Sequence, residues 1–218
     1  MELKLNYQDF ESVIHSRDIK YLVHFTRFQS ITAIIGERRI LPRNKLHNVG
    51  YNWCELVMPN STDRWDDSAY LNTSVMHPNV NLLNIFRYRY QGYRFCVVGI
   101  AAKYIYEEQT KFSITNATYS GAKNFGITGN FETFNALFMD IVPGRIGEET
   151  VRCSNLPSNY TTDPQAEILI RSEIPYDDIM FIACKSLFEH DLLASAFDVL
   201  DLPTEKICVE PALFEHRN

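Results

Sequence analysis

A chain of 218 residues and 25.3 kDa can bury one good hydrophobic core and has little left for a second. Apolar content of 45% and charged content of 22% are those of ordinary globular proteins, and no apolar run reaches the ~18 residues of a membrane span. A formal charge of −6 and a pI near 5.5 exclude a protein that coats nucleic acid electrostatically, but not one that captures a few nucleotides in a local basic groove. Two clusters could supply such a groove: Arg38, Arg39, Arg43 and Lys45, and Arg87, Arg89 and Arg94. Each is as readily a solvated helix face.

Along the chain, Tyr7 to Ser16 reads as a first helix and Tyr21 to Phe25 as a strand. Thr26 then stands as an N-cap with Gln29 at capping-box spacing, ahead of the helical stripe Phe28, Ile31, Ile34 and Ile35. That helix is expected to end near Arg39. Residues 42–66 are punctuated by Pro42, Asn44, Gly50, Pro59 and Asn60, a long irregular stretch of the kind that is more often functional than filler. A strand from Tyr70 to Met76 and a helix from Leu82 to Tyr90 follow. Strand-like runs cover Phe95–Ile105, Phe134–Val142, Ala166–Ile174 and Ile179–Ala183; then come a helix from Leu187 to Leu200 and a last strand from Lys206 to Phe214. Many strands and a few helices without strict alternation predict an α+β fold, and no linker or repeat divides residues 1–218 into two domains.

The cysteines Cys54, Cys96, Cys153, Cys184 and Cys208 are odd in number and form no CxxC pair. This argues against a disulfide framework or a zinc site and for a reducing cytoplasm. Cys96, Cys184 and Cys208 lie in apolar runs and read as small buried hydrophobes. The first residues carry no basic-then-apolar signal pattern. No metal is expected, since His24, His47 and His77 do not share ligand spacing.

The most informative stretch is Tyr160 to Ile170, where a Pro-containing polar loop delivers Glu167 into an apolar strand. Gln165 and Glu167 lie two apart, so an extended backbone points both to one face. An amide and a carboxylate there suit a sugar hydroxyl and a nearby nucleophile. Most isolated Glu residues are solvated, so spacing alone favours a surface Glu on an edge strand. Further polar groups stand at His24 and Thr26 on the first strand, at Arg64 among Asp63, Asp66 and Asp67, at Asn72 and Ser74 on alternate strand positions, and at His77, Asn79, Arg87 and Arg89. Taken singly, each is weak.

In this order the set resembles the DarT family of DNA-modifying ADP-ribosyltransferase toxins. The resemblance rests on "YLVHFTRFQSITAII", "DRWDDSAYLNTSVMHPNVNLLNIFRYR" and "NYTTDPQAEILI", and covers most of the chain. It implies a split, mainly antiparallel sheet with a central cleft for NAD and flanking helices. It implies ADP-ribose transfer from NAD, as co-substrate, to a base of single-stranded DNA. Glu167 matches the catalytic glutamate and Arg64 a second catalytic residue. His24, Thr26, Asn72, Ser74, Asn79 and Arg87 become NAD contacts. Tyr160, Thr162 and Gln165, in the acceptor-facing loop, together with Arg89, become substrate contacts.

The central block departs from the thymine-modifying pattern, so guanine and thymine both remain open as target. RNA or protein acceptors, and a non-catalytic nucleotide-binding relative, are the alternatives. Family analogy also implies a cytoplasmic, monomeric toxin with no membrane association, neutralised by an antitoxin that carries an ADP-ribose-removing macrodomain.

Overall fold

A computed structural model describes residues 1–42, 44–46, 69–144 and 147–217. Its centre is strand β4 (Phe95–Ala101), whose FCVVGIA run is buried at every position but the last. A near-continuous apolar strand of this kind must be covered on both faces. β1 (Tyr21–Arg27) pairs with it antiparallel along its full length, from Tyr21 opposite Ala101 to Arg27 opposite Phe95. On the other side β10 (Ile179–Cys184) pairs antiparallel and is followed by β11 (Ile207–Val209), parallel to β10. Gly99 is required in β4 because a Cβ there would lie 2.3 Å from the ring of Phe181.

Beyond β1 lie β3 (Leu71–Val75), β8 (Glu167–Ile170) and β5 (Lys111–Ser113), giving the order β11-β10-β4-β1-β3-β8-β5. The joint between the two halves is narrow. β1 and β3 pair only at Leu22–Val75 and Val23–Ser74, while Leu71, Asn72 and Thr73 pair instead with Ile170, Leu169 and Ile168 of β8. β3 thus crosses from one half-sheet to the other, and β1 and β3 diverge beyond His24. The sheet is split, as expected.

Two apolar layers hold the halves. One face packs Leu22, Ile100, Phe112 and Ile168 against Phe10 of α1 (Tyr7–Ser16), Ile31 of α2 (Phe28–Gly36) and Phe197 of α6 (Leu187–Val199). The other packs Val23, Phe95 and Val97 under Leu83 and Phe86 of α3 (Val80–Arg89). Phe10, Phe112 and Phe134 form a ring cluster with centroids 5.2 to 5.8 Å apart, each ring fully buried and contributing roughly 1.5–3 kcal/mol.

Several expected boundaries move. β1 runs on to Arg27, which occupies the N-cap position of α2 without a side-chain cap, so Thr26 is a strand residue and not a cap. α2 stops at Gly36, and β2 (Arg39–Ile40) pairs with β9 (Ile174–Pro175). The run Phe134–Val142 is not a strand. Asn130 accepts a hydrogen bond from the Thr133 amide at 2.9 Å and caps α5 (Phe131–Ala136), leaving only β6 (Ile141–Pro143), which pairs with β7 (Glu149–Val151). The Phe95 strand ends at Ala101 in a 3-10 turn, and β11 ends at Val209 before another.

Candidate active site

Glu167 is the first residue of β8 and is half-buried, opposite Ser113 of β5. A tight turn delivers it. The extended conformation favoured before Pro164 and the Asx bond from the Gln165 amide to Asp163 Oδ1, 2.7 Å, reverse the chain, and Ala166 N–H closes on Asp163 O at 3.1 Å. Asp163 itself is buried. Two donors then fix the Glu167 carboxylate. Asn72 Nδ2 of β3 donates to Oε1 at 3.2 Å, and the backbone N–H of Ala117 donates to Oε2 at 3.0 Å. Bonds from two different elements orient the carboxylate from both of its oxygens.

Beside it, Tyr119 donates its hydroxyl to Gln165 Oε1 at 3.0 Å. The loop 113–119 therefore orients both members of the Gln165–Glu167 pair. Nothing in the sequence marks Ala117 for this, since its contribution is a main-chain amide. Tyr119 carries no spacing signal either.

His24 sits where β1 and β3 part. Its Nδ1 lies 2.8 Å from Asn72 O, so this nitrogen carries the proton and in the neutral ring Nε2 is the acceptor. The bond spans the opening of the split. Asn72 thus serves both sides of the gap, its carbonyl toward His24 and its amide toward Glu167. Ser74 is half-buried at the Val23 level, and Thr26 is buried farther along β1. Hydrogen bonds thus bring His24, Asn72 and Glu167 together, and Ser74 stands two residues along β3 from Asn72.

Other expected contacts have other partners. Asn79 caps α3, its Oδ1 accepting from the Leu82 amide at 3.1 Å. Thr162 is buried, with its hydroxyl donated to Met139 O at 2.5 Å. Arg87 lines a polar groove of about 430 Å³ with Asn84, Gln91, Arg94 and Glu189, and neither Glu167 nor His24 belongs to that lining. Arg89 is exposed in the last turn of α3. In the other basic cluster, Arg39 and Lys45 both pair with Glu173, at 3.0 and 3.1 Å. The hydrogen bond from Lys45 is the main cause that holds the Glu173 carboxyl below its usual range. Arg64, Trp65, Arg43 and His47 lie outside the described residues.

Two arginines hold the loop 157–162 in place. Arg152 donates to Pro157 O at 2.7 Å, Tyr160 O at 2.8 Å and Thr162 Oγ1 at 3.2 Å. Arg217 donates to Thr161 O at 3.0 Å and its guanidinium lies 5.6 Å from the Tyr160 ring centroid. Burial pushes its pKa down to about 10, against the attraction of Asp163, which leaves it charged at neutral pH. His77 packs 5.6 Å from Tyr160, with Nδ1 at Pro78 O and Nε2 at Ala212 O; burial pushes its pKa down. Sequence reading missed Arg152 and Arg217, because a guanidinium bonded to loop carbonyls has no spacing rule.

Comparison with known proteins agrees with this arrangement. The profile of a family described as "ssDNA thymidine ADP-ribosyltransferase, DarT" matches residues 23–215. The fold is similar to Thermus sp. 2.9 DarT in complex with NAD+, at TM-score 0.60 and 13% identity, covering 90% of this chain and 98% of that one. The same Thermus protein in complex with ADP-ribosylated ssDNA gives TM-score 0.55 and 12% identity over 91% and 97%. Thermosipho africanus DarTG in complex with ADP-ribose gives 0.57 and 14% over 89% of this chain and 51% of that one. No curated protein matches the sequence. With a split antiparallel sheet, an anchored Glu167 beside the split, and a family match over nearly the whole chain, the protein belongs to the DarT family of ADP-ribosyltransferases.

Proposed function

We propose that this protein transfers ADP-ribose from NAD to a base of single-stranded DNA, thymine or guanine, and acts as a toxin. The observation that carries the reading is the double anchoring of Glu167, by Asn72 Nδ2 and Ala117 N–H, next to the split in the sheet. The complexes of Thermus DarT with NAD+ and with ADP-ribosylated ssDNA support donor and acceptor. The similarity to a Thermosipho protein named DarTG supports a partnership with an antitoxin that removes ADP-ribose. The residues form one catalytic domain that works as a monomer in the cytoplasm.

In the reaction the bond between ribose C1′ and the nicotinamide nitrogen breaks and nicotinamide leaves with the electron pair. A base ring nitrogen forms the new bond to C1′ and gives up its proton. Positive charge grows on the ribose as the leaving group departs. Glu167, accepting from the ribose 2′-hydroxyl, interacts more strongly with that charge than with the neutral ground state, and so lowers the barrier selectively. Asn72 and Ala117 hold the carboxylate in place before reaction, with no reorganisation at the moment of bond cleavage.

His24 and Ser74 flank the donor at the split. Gln165, oriented by Tyr119, faces the acceptor base. Arg64 orients or polarises that base, or contacts the pyrophosphate; a guanidinium that stays protonated in water is a poor proton acceptor. Single-stranded DNA avoids the unpairing cost of base flipping, and stacking on Tyr160 offsets the weak phosphate attraction of an acidic protein.

The test is mass spectrometry of four oligonucleotides, each with one kind of base in an otherwise abasic-spacer strand, after incubation with protein and NAD. An ADP-ribose adduct on thymine or guanine alone is expected. An adduct on adenine or cytosine, or on none of the four, overturns the reading.

A further inference from the structure

Three guanidiniums converge on one short stretch of the acceptor-facing loop. Arg17, the residue closing α1, donates to Ser158 O at 3.0 Å and stacks 4.3 Å from the Phe138 ring centroid. Arg152 reaches Pro157 O, Tyr160 O and the Thr162 hydroxyl. Arg217 reaches Thr161 O. Every one of these hydrogen bonds falls within residues 157–162, although the three arginines come from the end of the first helix, the end of β7 and the last residues of the chain.

Their charges are close enough to oppose one another. Burial, and then the neighbouring Arg152, lowers the pKa of Arg17, and Arg152 acts in the same direction on Arg217. Among the described residues, the ion pairs join other side chains, and none includes Arg17, Arg152 or Arg217. The nearest compensation is the buried Asp163, felt by Arg217. A chain of net charge −6 therefore gathers, beside the loop that leads to Glu167, three half-buried cations that form no ion pair among the described residues. Loop carbonyls satisfy some of their N–H donors and fix the guanidinium planes. They do not neutralise the charge. An oriented group of guanidiniums with more positive charge than one carboxylate offsets is suited to a phosphate oxygen pair.

We propose that Arg17, Arg152 and Arg217 form a docking cluster for the phosphodiester backbone of the single-stranded DNA acceptor. The inference rests on the function proposed above and adds the place where the strand is gripped. Cations beside the loop hold the strand by its phosphates, while Gln165 and Glu167 at the loop's end meet the base. The grip is independent of sequence and leaves base choice to the residues at that end.

Binding of a fluorescent single-stranded oligonucleotide of mixed thymine and guanine sequence to the full chain, measured by anisotropy over a salt series without NAD, tests this. Arg17→Gln removes one charge at the cost of one hydrogen bond and the stacking on Phe138. It is expected to weaken binding several-fold and to make the slope of log K against log salt shallower by about 0.7, the value for one lost single-strand phosphate contact. Arg17→Gln/Arg217→Gln should lose about twice that slope. Arg17→Lys should keep the slope, because it keeps the charge.

If Arg17→Gln keeps the wild-type affinity and slope and only melts earlier, the arginines merely hold the loop and the proposal falls. The underlying reading is judged separately, by wild-type transfer to the same oligonucleotide with NAD. Transfer together with an unchanged Arg17→Gln slope overturns the cluster alone. No transfer by the wild type removes the reading, and the cluster with it.

Discussion

Asn72 of β3 donates its side-chain amide to Glu167 Oε1 at 3.2 Å while its carbonyl accepts from His24. One residue therefore ties the two sides of the split. Asn72→Ala removes the side-chain donor to Oε1 and leaves the strand pairing intact. We expect kcat to fall roughly tenfold or more with the KM for NAD little changed, the pattern of an interaction that matters in the transition state. A raised KM at constant kcat would instead make Asn72 a simple NAD contact. Steady-state kinetics with varied NAD separates the two.

Tyr119→Phe deletes only the hydroxyl that orients Gln165. The half-buried ring remains, so the stability cost should stay near ~1 kcal/mol, that of one hydrogen bond. The effect should appear in the acceptor: the KM for oligonucleotide rises several-fold while NAD affinity holds. Equal kinetics for the two proteins would remove Tyr119 from the site.

Gly121→Ala probes the wall behind the Ala117 loop. Gly121 lies in α4 (Ser120–Phe125), and a Cβ there would stand 2.1 Å from Gly144 O and 2.5 Å from Pro143 O. Neither is the end of a flexible side chain, so backbone must move. We expect a loss of about 1–3 kcal/mol, as for other overpacked sites, or roughly 2–12 °C in melting temperature for a chain of this size. A scanning calorimetry trace that does not shift would contradict the packing described.

Lys4 offers a pH test of the core. Its ammonium donates to Glu108 O and Thr110 O at 3.0 and 2.8 Å beside the rings of Phe10 and Phe112. Burial lowers its pKa from 10.5 to about 8, against the pull of Glu107 and Glu108. Between these values the unfolded chain holds the proton and the folded chain releases it, so this residue makes stability rise with pH. Burial raises the Cys96, Cys184 and Cys208 thiols above their ordinary value of 9.0, which acts in the opposite sense in the upper part of that range. Tyr176, raised to about 12 by burial and the bond to Glu205, does so only above 10.0. The Lys4 effect is therefore read as the difference from Lys4→Met. Denaturant unfolding from pH 8 to pH 10 should therefore show a steeper rise for the wild type than for Lys4→Met. Identical profiles would place Lys4 outside the core.

The sequence disclosed more of the frame than of the site. α1, β1, β4 and β10 were legible because their apolar residues repeat at the period of the element they form or fill a doubly covered strand. Phe134–Val142 misled because its aromatic residues suit a strand equally well, and the decisive signal, Asn130 capping α5, lies ahead of the run. Glu167 and Gln165 were readable because a proline turn fixes where the strand begins. Thr162 and Asn79 read as ligands because their hydroxyl and amide oxygen suit both tasks; each is committed to main-chain groups. Ala117 and the arginines beside the loop were beyond reach, since they act through contacts that only the assembled chain creates.

The central claim is that the anchored carboxylate at position 167 drives cleavage of the nicotinamide–ribose bond. The most direct measurement is transfer of labelled ADP-ribose from NAD to a mixed-base single-stranded oligonucleotide by the wild type and by Glu167→Gln, with melting temperatures taken in parallel. The account predicts an active wild type and a variant slowed by about a thousandfold or more that melts within a few degrees of it. A Glu167→Gln protein that modifies DNA at the wild-type rate would contradict it.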